Sequence, residues 1–256
     1  MKSFNYLLFL LFISFILLIS TSAFGCKLTV RFEQYPPQAY LDKEHQWHGM
    51  DVEMAKALLN EAGCEYRFVR IPWARSLEMM QRGEVDMMLS VSKNPLRQKF
   101  IHFIGPQRQE NIVLISLASS PITIEKFNNL NTFGKPIAIQ KGAYYGEKLA
   151  RMLEEDDKDN SHFIVIPNNE AKLSLLHRGR VSGVIEEKLN ILHQIKNTPQ
   201  LTNTAVYPVV VHVNPVYFAL SRASTSPLLL VKLNKAFATL QQNDILTRIA
   251  QKYDAR

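Results

Sequence analysis

LEMMQRGEV, residues 77–85, is answered by LSLLHRGRV, residues 173–181. In both, apolar residues fall at helical spacing, an Arg-Gly pair stops the helix, and a valine opens an apolar run. Glycine after a last helical turn accepts the left-handed backbone that ends helices. A helix that stops this way and runs into β-rich sequence is half of a βαβ unit. Its recurrence in each half of the chain points to two lobes of similar build.

Working outward, Leu28–Phe32 reads as a strand followed by the loop Glu33-Gln34-Tyr35-Pro36-Pro37. Asp51 is expected to cap a helix carrying Val52, Ala55, Leu58, Leu59 and Ala62, ended by Gly63. Glu65–Ile71 is β-rich, Ala74–Arg82 helical, and Val85–Leu89 a third strand. The second half repeats the theme with a strand at Pro136–Gln140, a glycine turn and a helix through Leu149 and Met152. Phe163–Ile166 is its next strand. Alternation of this kind means an α/β fold with parallel strands. Asn111–Ala118 and Tyr207–Leu220 are extended runs able to cross between lobes. Pro227–Tyr253 reads as one final helix returning to the first lobe.

Open α/β sheets bind ligands beyond the carboxyl ends of their strands. In VDMMLSVSKNPLRQKF, residues 85–100, that position holds Ser90 and Ser92. Asn94 then suits a helix cap and Pro95 a first helical residue. Arg97 follows with a planar fork matched to a carboxylate. Gly142–Gly146 and Glu186-Glu187 lie at the corresponding places in the second half.

The N-terminus has the marks of an export signal. Lys2 precedes the apolar run Tyr6–Ile19, and Thr21-Ser22-Ala23-Phe24-Gly25 offers cleavage after Ala23 or Gly25. The run, roughly 14 residues, is short of the about 20 needed to span a bilayer. Lipidation of Cys26 is the alternative, which Ala23-Phe24-Gly25 fits poorly. Removal of the signal leaves about 230 residues, room for one large domain or two lobes of about 100. The net charge of +7 includes no long basic run, so nucleic-acid binding is not expected. The seven histidines show no metal-ligand spacing, and no metal or cofactor is expected. In an oxidising compartment the two cysteines, Cys26 and Cys64, are expected to pair. Each stands at the start of a strand, and adjacent parallel strands bring their starts within disulfide reach.

In this order and spacing several segments resemble the family 3 periplasmic solute-binding proteins, the polar amino-acid receptors of ABC importers. They are Gly49-Met50-Asp51, Gly83-Glu84-Val85-Asp86, Ser92 to Arg97, Gly179-Arg180-Val181 and Lys252-Tyr253. Pro72-Trp73-Ala74-Arg75 is similar to a less characterised subgroup. The resemblance covers nearly all of the mature chain. It implies the two-lobed type II fold, two parallel-core sheets joined by crossings near residues 108–112 and 209–214, with a cleft between. Its lobes would be residues 26–109 plus 213–256 and residues 110–212, after a signal at 1–25.

By the same resemblance, Arg97 grips a ligand carboxylate with help from Ser92, and Glu187 holds an ammonium. Glu33 lies near the ligand side chain. Gly142, Ala143 and Tyr144 supply backbone donors. Apart from the resemblance, Ser90 belongs to the expected site by its place at the strand end, and Tyr35, Trp73 and Tyr144 are aromatics able to sandwich a ligand side chain. Ala143 and Tyr144 stand where the family has small hydroxyl residues, and Glu187 where it has aspartate, so the ligand side chain stays open.

Plainer readings stand beside these. Arg97 as a solvated helix residue, Glu187 as a surface carboxylate and Tyr35, Trp73 and Tyr144 as core aromatics are each compatible with the sequence. The expected function is capture of an amino acid or small carboxylate for an ABC permease in the periplasm, by a monomer. A receptor module for a membrane sensor is one alternative. A cyclohexadienyl dehydratase-like enzyme with Glu33 or Glu187 as acid is the other. No nucleophile–base pair is legible, so no catalytic residue is named.

Overall fold

The computed structural model of the chain describes residues 25–130, 133–156, 161–167, 169–198 and 206–255. The expected signal, apart from Gly25, lies outside the described residues. Among the described residues no helix is long and apolar enough to cross a membrane.

The first half runs β1 (Lys27–Phe32), the small hairpin β2 (Tyr40–Leu41) and β3 (Trp47–His48), then α1 (Met50–Glu61), β4 (Glu65–Arg70), α2 (Trp73–Arg82) and β5 (Met87–Ser92). A short α3 (Pro95–Gln98) leads into the long β6 (Ile101–Leu117). The second half comprises α4 (Ile124–Phe127), β7 (Ile137–Gln140), α5 (Glu147–Glu155), β8 (Phe163–Ile166), α6 (Glu170–His177), β9 (Gly183–Glu187) and α7 (Lys188–Asn197). The long β10 (Val206–Ser221) returns, and α8 (Pro227–Gln242) and α9 (Ile245–Lys252) close the fold.

The repeat with which the sequence reading begins is visible in the backbone. Gly83 has φ 77° and Gly179 φ 61°. Glu84 N–H donates to Met79 and Arg180 N–H to Leu175, the same closing bond after both helices. The strands begin at Met87 and Gly183, two residues after the valines expected to start them.

β6 and β10 run antiparallel along almost their whole length, from Ile101 opposite Ser221 to Leu117 opposite Val206. β5 pairs with the end of β10, Met87 facing Leu220, and β9 with the end of β6, Glu187 facing Ile112. The two expected sheets are thereby hydrogen-bonded into one of eight strands, in the order β4-β1-β5-β10-β6-β9-β7-β8. Sequence reading caught only the second half of β6, because Gly105, Pro106 and the charged residues after them mask its first half. The final helix is broken at Asp244, whose φ of 53° no helix accommodates.

Both faces of this sheet are covered. On one side of the first half, Leu28, Val30 and Phe32 pack with Met54, Leu58, Leu233 and Phe237, so α8 does return to the first strands. Met80, Val85, Met88 and Val91 fill the opposite face. In the second half, Ile112 and Leu114 join one core while Val113 and Ile115 join the other, the two-residue alternation of a strand buried on both sides. Lys252 and Tyr253 anchor the C-terminus, each donating to Glu53 of α1 at 2.7 Å.

Cys26 and Cys64 form a disulfide, Cα–Cα 4.8 Å, immediately before Lys27 and Glu65, which face each other in the β1–β4 register. Its 38-residue separation makes the closed loop long. Replacing both cysteines with serine should therefore lower unfolding stability by roughly 2–4 kcal/mol through the freed unfolded chain. Urea titration checks this; an unchanged midpoint with an unchanged slope would refute it.

Candidate functional site

β5 does not end at Leu89 but continues to Ser92, with Ser90 at φ 52°. The β10 register jumps between Tyr217 and Ala219 opposite this point, so Ser90 sits in a bulge. A left-handed backbone is costly for serine and persists where neighbours hold it. Ser90 N–H donates to Gln107 Oε1 at 2.9 Å, and its hydroxyl donates to Asp51 at 3.0 Å and accepts from Arg108 at 3.1 Å. Asp51 is thus not the cap of α1, which Gly49 occupies without a side-chain bond. It is a buried carboxyl that burial raises to a pKa of about 6, against the pull of Arg108.

Asn94 does cap α3, accepting from Arg97 N–H at 2.8 Å, with Pro95 in the first turn. This orients the Arg97 side chain inward, where it is only 4% exposed. Its guanidinium donates to two carbonyls, Ser92 O at 2.8 Å and Gly142 O at 3.0 Å, and lies 5.5 Å from the Trp73 ring centre. Among the described residues it joins no ion pair. Burial lowers its pKa to about 10, partly offset by Glu110, so it stays charged at neutral pH.

The remaining buried charges occur in partnerships. Arg31 pairs with Glu33 at 2.7 Å and lies 5.3 Å from the Trp73 ring on the side of β1. Arg108 pairs with Glu187 at 2.6 Å, and Gln38 donates to the other oxygen of that carboxylate at 2.6 Å. Burial opposes the Arg108 charge, but Glu187 and Asp51 outweigh it and raise its pKa. Lys172 pairs with Glu186, which also accepts from Tyr35 at 2.6 Å. Glu110 differs. Its donors are neutral, Ser92 Oγ and Asn214 Nδ2, both at 2.9 Å. Burial, with Glu187 adding to it, pushes its pKa to about 8.

Apart from Arg108, Lys172 and Asn214, these groups surround a cavity of about 80 Å³. Of the residues expected from sequence, Arg97, Ser92, Ser90, Glu33, Tyr35, Trp73, Ala143, Tyr144 and Glu187 all line it. Gly142 contributes differently from expectation. It presents its carbonyl, which accepts from Arg97 and from Trp73 Nε1 at 3.0 Å each, while Ala143 N–H turns back to Gln140. Glu187 reaches the cavity already engaged by Arg108 and Gln38 rather than free for an ammonium.

Arg31, Gln38, Asp51, Glu110, Gln140 and Asn169 also line the cavity and were missed. Gln140 stands at the carboxyl end of a strand, a position that could have flagged it. Glu110 lies inside β6, where nothing in its local sequence distinguishes it from a solvated carboxylate. Tyr35, Gln38 and Asn190, which donates to Pro36 O at 2.7 Å, bind the two halves together across the cleft.

A family model described as bacterial extracellular solute-binding proteins, family 3, matches residues 28–255. ABC transporter arginine-binding protein 1 of Escherichia coli is 22% identical over 86% of this chain and 86% of its own length. The solved structure of an ancestral arginine-binding protein bound to arginine superposes with a TM-score of 0.74 at 21% identity, over 89% of this chain and 97% of that one. A histidine kinase sensor domain with similarity to periplasmic binding proteins gives 0.75 at 20% identity, over 90% and 95%.

Proposed function

The chain belongs to the bacterial extracellular solute-binding proteins of family 3, and from that premise we propose that it captures a small carboxylate-bearing solute, first among them a polar amino acid, between two closing lobes. The lobes are residues 26–109 plus 213–256 and residues 110–212, hinged where β6 and β10 cross. Delivery is to an ABC permease, with the chain exported to the periplasm by residues 1–25. The observation that carries the reading is Arg97. A buried guanidinium whose partners are two carbonyls is short of an anion, and it lines a cavity walled by both halves. A carboxylate at that fork supplies the missing charge.

The test combines a thermal-shift screen of amino acids and small carboxylates with small-angle scattering. A ligand at 100 times its Kd adds about 2.7 kcal/mol of stability. The ligand that raises the melting temperature should also shrink the radius of gyration, since contacts to both lobes favour the closed state. A screen without a stabilising carboxylate, or an unchanged profile at saturation, would remove the reading.

Turnover is the second reading, and Glu110 is the observation in its favour: a carboxyl on the cavity wall that still holds its proton at neutral pH can act as an acid. Chromatography of incubated ligand, prephenate included, separates the two. Full recovery supports binding; conversion that stops in Glu110→Gln supports an enzyme. A sensor role is separated by the partner whose activity the liganded protein raises, permease ATPase or membrane kinase.

A further inference from the structure

We infer that the distal end of the ligand is an uncharged hydrogen-bonding group, a carboxamide or ureido group, and that Gln140 and Asn169 recognise it. The inference rests on Arg97 holding the ligand carboxylate. Gln140 ends β7, opposite Ile166 at the end of β8, and Asn169 follows shortly after Ile166. Both line the cavity, and they are 7% and 5% exposed. Among the described residues, Gln140 Nε2 and Asn169 Oδ1 have no hydrogen-bond partner. Gln38, fully buried and lining the same cavity, donates to Glu187 while its Oε1 has no partner among the described residues. Buried amide atoms are nearly always bonded, so three unpartnered ones around one cavity call for a ligand that bonds them.

The set is neutral and offers both a donor and acceptors. Rotating an amide exchanges its nitrogen and oxygen, and the pair supplies both kinds of group either way. A carboxamide or ureido group carries the complementary carbonyl and N–H groups. Charged ends fit worse. A guanidinium or ammonium would need a free carboxylate, but Glu33, Glu186 and Glu187 are bonded to Arg31, Lys172 and Arg108, Asp51 accepts from Ser90, and Glu110 accepts from Ser92 and Asn214 at a place where burial favours its protonated form. A distal carboxylate would need one of those same cations. Either ligand would have to break one of these buried arrangements or ionise a carboxyl that burial keeps protonated.

Calorimetry on the exported protein, with ligands sharing one amino-acid head, tests this. L-glutamine, L-asparagine and L-citrulline represent neutral ends, L-arginine, L-lysine and L-glutamate charged ones, and L-norvaline an apolar one. The best neutral-ended ligand should bind at least tenfold tighter than any charged one. Gln140→Leu should reduce that affinity at least tenfold and leave norvaline within threefold. Gln140→Glu, which keeps the shape, should move the preference toward lysine or arginine and serves as the second variant if Gln140→Leu does not fold. Tightest binding by a charged ligand, no binding by any neutral-ended one, or an unaltered preference in both variants would overturn the inference. If charged ligands win yet Arg97→Ala abolishes their binding, the carboxylate reading survives. If no ligand depends on Arg97, both fail.

Discussion

Arg97→Ala should weaken ligand binding by roughly 2–5 kcal/mol, about 30- to 4,000-fold, with the fold intact. The size follows from where the charge sits. Arg97 is buried against Trp73, its partners are the carbonyls of Ser92 and Gly142, and burial already lowers its pKa to about 10. A ligand carboxylate brought to that fork gains a charge-assisted, two-pronged bond in a low-dielectric site. In the alanine variant the same carboxylate is desolvated without a partner. Arg97→Lys should recover little, because an ammonium is a point charge on a shorter reach and lacks the planar fork that meets a carboxylate with two parallel bonds. Calorimetry on the two variants, with circular dichroism to establish folding, measures this. Normal affinity in Arg97→Ala would show that the anchor lies elsewhere.

The stability of the ligand-free protein should fall between pH 6.5 and 8 by up to roughly 1.4 kcal/mol per pH unit on account of Glu110, and Glu110→Gln should abolish that component. The folded-state pKa of about 8 is above the ordinary carboxyl value of 4.5. Between those values the folded chain holds a proton that the unfolded chain has released. Raising the pH therefore favours unfolding, and the contribution, complete below the unfolded value, is lost as pH passes the folded one. Asp51 acts in the same direction, but its pKa of about 6 confines it to a lower window. Glutamine keeps an oxygen for Ser92 and Asn214 to donate to, so packing is preserved. Urea unfolding of both proteins at pH 6.5 and 8 gives the comparison. Parallel losses in the two would mean that Glu110 ionises as an ordinary surface carboxylate does.

Local sequence was sufficient wherever one segment's own chemistry decides its shape. The two Arg-Gly stops, the Asn94-Pro95 cap and the alternation of apolar strands and amphipathic helices depend on neighbours a few residues away. Each was legible, as was the pairing of Cys26 with Cys64 that follows from parallel strand starts. The placing of Arg97, Ser92 and Tyr144 around a cavity was likewise foreseeable, because strand ends and helix starts converge there in any open α/β sheet. What the tertiary structure alone decided is the electrostatic state of those groups. Glu187 looked like a ligand for an ammonium until Arg108, carried in by the masked first half of β6, took one of its oxygens and Gln38 the other. Glu110 looked like any carboxylate until β10 set Asn214 beside it and shut out water. The bulge at Ser90 needed both Gln107 and a register jump in a strand from the far end of the chain. Charge and hydration are fixed by every group within a few ångströms, and those groups come from segments that sequence leaves as many as 149 residues apart.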